Sequence, residues 1–250
     1  YPGSTSDLVD ILARRSSLPV SLLPLKEVRG RPEDLERALT GRRGLVAADA
    51  ETDEDLDALV RAALGHPEIL LAGSAGLARA AAAAWGHAAL PPLLPAPGAW
   101  LIVAGSRHPA TRAQIEALEA SGIPGVRLQG AREPDLSRVI GEISVGRPAF
   151  VATGDTLEGA REEIAARLAA LVRAVLGEAT PSLVVITGGE TSHAVMRALG
   201  ARRLDLAGAP ASGLALGRLI ADDRTPLPVL TKAGGFGSPG LLAALAKGPA

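Results

Sequence analysis

Apolar residues recur along this chain in two periods, and the two periods alternate. Over residues 53–64, Leu56, Leu59, Val60, Ala63 and Leu64 stand at i, i+3, i+4, i+7 and i+8, one face of a helix, and Gly65 follows as a stop. Over residues 158–176, Ile164, Leu168, Leu171, Val172, Val175 and Leu176 form a second such stripe. Short, continuous apolar runs lie between the helical segments, at residues 20–25, 44–48, 69–72, 100–104, 149–152, 183–186, 214–220 and 227–230. Runs of that kind fit strands buried on both faces. Further helices are predicted over residues 6–15, 32–39, 109–121, 191–199 and 238–246, and through the alanine run at 80–84. The alternation predicts two α/β domains with largely parallel sheets.

The eleven residues 88–98 hold four prolines. Proline fixes φ and removes a donor, so this stretch reads as an extended connector between a first domain, residues 1–87, and a second, residues 99–250. No internal repeat is visible. Twenty-six Lys and Arg against 27 Asp and Glu leave a formal charge of −1. That balance points away from nucleic acid and from an anionic membrane surface, so any anion recognition has to be local. The chain has no cysteine, which excludes disulfides, thiolate metal sites and a thiol nucleophile. No apolar run approaches the ~20 residues of a membrane span, and the N-terminal residues carry no signal-peptide pattern, so a cytoplasmic location is expected.

Every glycine-rich motif falls where a strand ends, which is where α/β sheets gather ligands. The segment Thr187-Gly188-Gly189-Glu190-Thr191-Ser192 joins a strand to a helix. Its glycines let a ligand reach the backbone, and its helix start offers bare amides, a hydroxyl and a carboxylate. Glu190 suits ribose hydroxyls or a magnesium-bound water. The segment Lys232-Ala233-Gly234-Gly235-Phe236-Gly237 follows another strand and is expected to open a helix. There Lys232 is a point charge for phosphate and Phe236 a buried anchor. It is not a Walker A loop. In Gly105-Ser106-Arg107-His108-Pro109, Ser106 can meet a phosphate or adenosine, and Arg107 or Arg112 can neutralise charge. His108 reads as a helix-start hydrogen-bonding residue, while His66, His87 and His193 receive no catalytic or metal role. Before the connector, Gly73-Ser74-Ala75-Gly76 leads from a strand into a helix and suits a carboxylate or phosphate. The acidic run 49–55 reads as a solvated helix start, Asp49 excepted. Each motif alone is equally a tight turn, a capped helix start or a close packing contact. Together they suggest a polyphosphate held between two glycine turns.

In order along the chain, DAETDEDLDAL, LLAGSAGLARA, VAGSRHPATRAQI, VVITGGETSHAV and PVLTKAGGFG resemble stretches of the four-carbon acid sugar kinases, and LVDILARRSSLPVSLLPL is similar to the middle of that family's first domain. The resemblance implies an ATP-dependent kinase acting, with Mg2+, on the terminal hydroxyl of a tetronate or 3-oxo-tetronate. It implies nucleotide contacts at Ser106, Gly188, Gly189, Glu190, Thr191 and Gly234, with Lys232 and Gly235 as neighbours, and Ser74 and Gly76 facing the sugar acid. A homodimer would be ordinary for this class. The family's opening Asp-Asp-x-Thr-Gly-Ala motif does not occur here, so the first domain is expected to be incomplete, with the catalytic base unassigned and phosphorylation lost or severely weakened while nucleotide binding survives. The rival readings are a non-catalytic nucleotide- or sugar-phosphate-binding module, and a sugar-acid isomerase or epimerase that ignores ATP.

Overall fold

A computed structural model describes residues 5–87, 96–106, 108–154, 157, 159–222 and 225–247. The chain divides into two units, Tyr1–Ala89 and Leu90–Ala250. Residues 88–95, the first part of the Pro-rich connector, lie outside the described residues.

The first unit runs α1 (Leu8–Ala13), β1 (Val20–Leu23), α2 (Leu25–Val28), α3 (Pro32–Thr40), β2 (Leu45–Ala48), α4 (Asp53–Ala63) and α5 (Ala75–Ala84). Strands β1 and β2 pair in parallel, Val20 opposite Leu45 through Leu23 opposite Ala48. Leu23, Val28, Leu35 and Leu59 close one small core, and Val60 packs with Ala80 and Ala81 in another. The alanine run thus lets α5 sit close to α4, and Gly76 belongs to the same contact: a Cβ there would lie 2.9 Å from Leu56 Cδ1. The strand expected over 69–72 does not form. Leu70 is 92% exposed, and Leu71 instead packs sideways on the Val60 cluster.

The acidic run at the start of α4 is more than a solvated helix start. Thr52 and Asp55 form a capping box, and Asp55 is buried. Arg29 grips the Asp55 carboxylate at both oxygens, each at 2.9 Å, and the Glu51 and Thr52 amides donate to Oδ2 at 2.9 and 3.0 Å. Arg29 foremost, then the Glu51 amide, holds this carboxyl well below the usual carboxylate range. A depressed folded-state pKa means that the contribution to stability is complete above the unfolded value, about pH 4, and fades as pH falls below it. Thermal melts of wild type and Asp55→Asn should therefore differ most at neutral pH and converge in acid. A constant gap from pH 7 into acid would contradict the assignment.

The second unit runs β3 (Trp100–Ala104), α6 (Pro109–Ala120), β4 (Gly125–Leu128), α7 (Ser137–Ser144), β5 (Ala149–Thr153), α8 (Arg161–Glu178), β6 (Leu183–Thr187), α9 (Gly189–Ala198), β7 (Ala201–Gly208), β8 (Leu214–Ala221), β9 (Leu227–Lys232) and α10 (Leu241–Lys247). The strands form one seven-stranded sheet in the order β4-β5-β3-β6-β9-β8-β7. Pairing is parallel from β4 to β9 and antiparallel through β8 and β7. The continuously apolar runs of β3, β5 and β6 are buried at every position, because helices cover both faces. On one face, Ile115 and Leu118 of α6 and Leu242 of α10 pack on Trp100, Ile102 and Leu230. On the other, α7, α8 and α9 bring Val139, Leu168, Val172 and Val195 onto Leu101, Val103 and Ile186. Among the described residues no helix is long and apolar enough to cross a membrane.

Candidate functional site

Three neighbouring strands of the second unit end level with one another. Ala104 of β3 is the register partner of Thr187 of β6, which in turn partners Lys232 of β9. The turns after these strands therefore lie side by side, and the Gly188 amide donates to Lys232 O at 2.9 Å, carrying the ladder one residue further. After β3 the chain enters α6 on one face of the sheet, and after β6 it enters α9 on the opposite face. Adjacent strands whose connections leave in opposite directions open a crevice at their carboxyl ends. A cleft of about 570 Å³ lies there.

Gly188 has φ +94° and ψ 135°, a conformation that an L side chain rarely adopts. It swings the chain directly into α9, a ten-residue helix with no side-chain cap. The first amides of a helix have no intrahelical acceptor, so Gly189, Glu190 and Thr191 present N–H groups at the positive end of the helix dipole. The side chain of Ser192 turns back and donates to Gly188 O at 2.9 Å, bracing the turn without covering those amides. Thr191 is buried against Gly105, whose missing Cβ makes the room: a Cβ there would fall 2.0 Å from Thr191 Oγ1. Across the cleft, Gly234 lies against Ser106, and a Cβ on Gly234 would sit 2.4 Å from Ser106 Oγ. Thr111, fully buried in α6, fixes that wall by donating to Gly234 O at 2.8 Å. His108 caps α6, its Nδ1 accepting from the Ala110 amide at 3.2 Å, as its position before Pro109 suggests.

Ser106, Gly188, Gly189, Glu190, Thr191 and Gly234, separated by up to 128 positions in sequence, thus line one cleft. Gly235 faces the His108 ring instead, 3.3 Å from where its Cβ would be. Lys232 is not a free point charge in the cleft. It is buried, and its ammonium donates to Ala233 O, Gly234 O and Phe236 O at 2.8, 3.3 and 2.9 Å. Burial pushes this ammonium below the usual lysine range. The KAGGFG segment turns on itself and does not open a helix, since α10 starts only at Leu241. Phe236 is 48% exposed, laid over Gly213 and not anchored in a core. Arg107 lies outside the described residues, and Arg112, in α6, does not line the cleft.

Three lining residues were not expected from sequence: Arg161, Ile164 and Ala165, all in the first turns of α8. Their signal is indirect, because nothing in the α8 sequence links it to a glycine turn. Arg161 places a cation 3.9 Å from Glu190 Oε1 at the mouth, and Ile164 with Ala165 supplies an apolar wall. Among the described residues no group of three or more acidic or histidine side chains is placed to hold a metal ion. In the first unit, Ser74 is exposed at the start of α5 and makes no capping bond, while Gly76 is occupied by helix packing.

Residues 101–242 match the family model described as a nucleotide-binding C-terminal domain, and residues 1–81 match that of a sugar-binding N-terminal domain. The chain belongs to the four-carbon acid sugar kinase family. It is 33% identical over 228 residues to a D-threonate kinase of Bordetella bronchiseptica, covering 84% of this chain and 54% of that protein. It is 28% identical over 270 residues to a 3-oxo-tetronate kinase of Cupriavidus necator, covering 95% of this chain and 60% of that one. The chain therefore spans little more than half the length of these kinases. A crystal structure from Salmonella typhimurium LT2 superposes with a TM-score of 0.70 at 19% identity, over 97% of this chain and 63% of that one, a likeness of fold.

Proposed function

We propose that the second unit binds ATP in the cleft and that the protein is a kinase phosphorylating the terminal hydroxyl of a four-carbon sugar acid, a tetronate or 3-oxo-tetronate. The observation carrying this reading is the convergence of three turns, after β3, β6 and β9, on the uncapped start of α9. The residues fit the nucleotide: the cleft is within the size range of small-molecule sites, and glycine at 188 and 234 brings backbone where a Cβ would intrude. ATP supplies a phosphoryl group whose transfer asks mainly for positioning and charge neutralisation.

Within this reading, the amides of Gly189, Glu190 and Thr191 bind phosphate oxygens, and the Ser106 hydroxyl orients the nucleotide from the opposite wall. Ile164 and Ala165 offer an apolar surface to a base. Arg161 adds positive charge at the mouth. Glu190 is the carboxylate available for ribose or for a water on Mg2+. A magnesium ion there would be held mainly by phosphates and water. Ser74 is proposed to face the sugar acid.

ADP affinity with Mg2+ and sugar-acid-dependent ADP release are to be measured separately on one preparation, with D-erythronate, L-threonate and D-threonate as acceptors. Nucleotide binding is expected of these 250 residues, with turnover lost or severely weakened for want of the Asp-Asp-x-Thr-Gly-Ala motif. Robust turnover would overturn that expectation, and binding without turnover in a protein that carries the motif would leave a nucleotide-binding module. Absence of binding would remove both readings.

A further inference from the structure

Among the described residues the buried charged side chains are Asp55 and Lys232. Asp55 meets Arg29, whereas Lys232 meets only main-chain dipoles. Its three N–H groups go to three carbonyls of the turn 233–236. The same turn directs further carbonyls inward, with Gln114 Nε2 donating to Phe236 O, Gly237 O and Ser238 O at 3.0, 3.2 and 3.0 Å. Thr187, the register partner of Lys232, lies on the same sheet face and buries a hydroxyl with no hydrogen bond, as Gln114 buries its Oε1. Three carbonyl oxygens converging on one positive charge, with further inward carbonyls and an unpartnered hydroxyl on the same sheet face, resemble the oxygen cage of a monovalent-cation site.

We infer that Lys232 is a tethered cation: its ammonium fills a carbonyl cage that a monovalent ion would otherwise take, and by holding that cage closed it sets Gly234 in the cleft wall. Lys232 is then a positioning residue, acting on the ligand through Gly234 and not by touching it. A neutral side chain of the same length would fill the space and leave the carbonyls without donors, each a buried acceptor lacking its partner. The effect on ligand affinity rests on the nucleotide reading above; the cage itself does not.

The test uses Lys232→Ala and wild type in tetramethylammonium chloride, then with KCl or propylammonium chloride substituted at constant ionic strength. Tm and ADP affinity are the readouts. Wild type should be indifferent to the exchange. Lys232→Ala should lose Tm and bind ADP at least about tenfold more weakly in tetramethylammonium, and recover both with K+ or propylammonium. A loss that no small cation restores, no loss at all, or a K+ requirement in wild type would overturn the inference. If wild type binds no ADP, the nucleotide reading falls, while the cation dependence of Tm in Lys232→Ala still decides the cage. If Lys232→Ala yields no folded protein, Lys232→Met keeps the bulk of the stem: weakened ADP binding with the fold intact supports the inference, and wild-type affinity overturns it.

Discussion

Gly188→Val should leave the sheet folded and lower nucleotide affinity by about 100-fold, because the turn it disrupts is the one that aims the α9 amides. At φ +94° a β-branched side chain is in a region it almost never occupies, and its Cβ would also press on Ser106 at 3.3 Å. Relaxation to negative φ would pull the Gly188 amide off Lys232 O and rotate the start of α9 away from the cleft. Strain of this kind is worth roughly 1–3 kcal/mol, and the misaimed amides add to it. The neighbouring Gly189 is the control. Its φ is not positive and a Cβ there meets nothing within 4 Å, so Gly189→Ala should keep both the fold and most of the affinity. Calorimetry with ADP and Mg2+ on the two variants checks the contrast. Equal affinities would show that the turn after β6 does not hold the phosphates.

Gly105→Ala should produce the other large effect, this time on stability. Its Cβ would stand 2.0 Å from Thr191 Oγ1, 3.0 Å from Thr191 Cβ and 2.8 Å from Leu168 Cδ1. Thr191 and Leu168 are buried, in α9 and α8 respectively, so neither side chain can swing into solvent. The helices must move instead. Overpacking of this sort costs about 1–3 kcal/mol, which for a unit of this size lowers Tm by several degrees, on the order of 3–10 °C. Thr191→Ala in the same background removes the nearest atom, so the double variant should be more stable than the sum of the single losses. Strict additivity in thermal melts would mean that the two residues do not share the space.

How much of this was readable in the sequence depended on how deeply each element is buried. Strands covered on both faces wrote themselves as continuous apolar runs, so β3, β5 and β6 were legible nearly to the residue. Glycine also marked the ends of α6 and α9 correctly, Gly122 and Gly200 taking positive φ. By contrast, β7 escaped notice because it is the outer strand of the sheet, with charged Arg202, Arg203 and Asp205 facing solvent, and its hydrophobic signal is thin. The edge strand β4 is four residues long and carries Arg127, and α7 has neither a side-chain cap nor an unbroken helical sequence, with Gly141 in its middle. The false strand at 69–72 shows the converse failure: a short apolar run that pairs with no strand remains outside the regular elements.

At the site, the rule that α/β sheets place strand ends together was enough to anticipate that the turns carrying Ser106, Gly188 and Gly234 share one cleft. What it could not give was direction. Lys232 looked like a phosphate ligand by composition, yet strand alternation puts it on the face beneath the turn, beside Thr187 and under the carbonyls of residues 233–236. Arg161 was invisible for the opposite reason, since its place at the mouth follows from how α8 packs across the sheet and from no local motif. The Arg29–Asp55 pair, 26 residues apart, likewise joins two helices whose approach no spacing announces.

Crystals soaked with a non-hydrolysable ATP analogue and Mg2+ decide whether the start of α9, between Ser106 and Gly234, holds phosphate. Phosphate density is expected against the amides of Gly189, Glu190 and Thr191, with Gly234 on the facing wall. An ordered nucleotide bound elsewhere on the chain, with this cleft filled by water alone, would contradict that expectation.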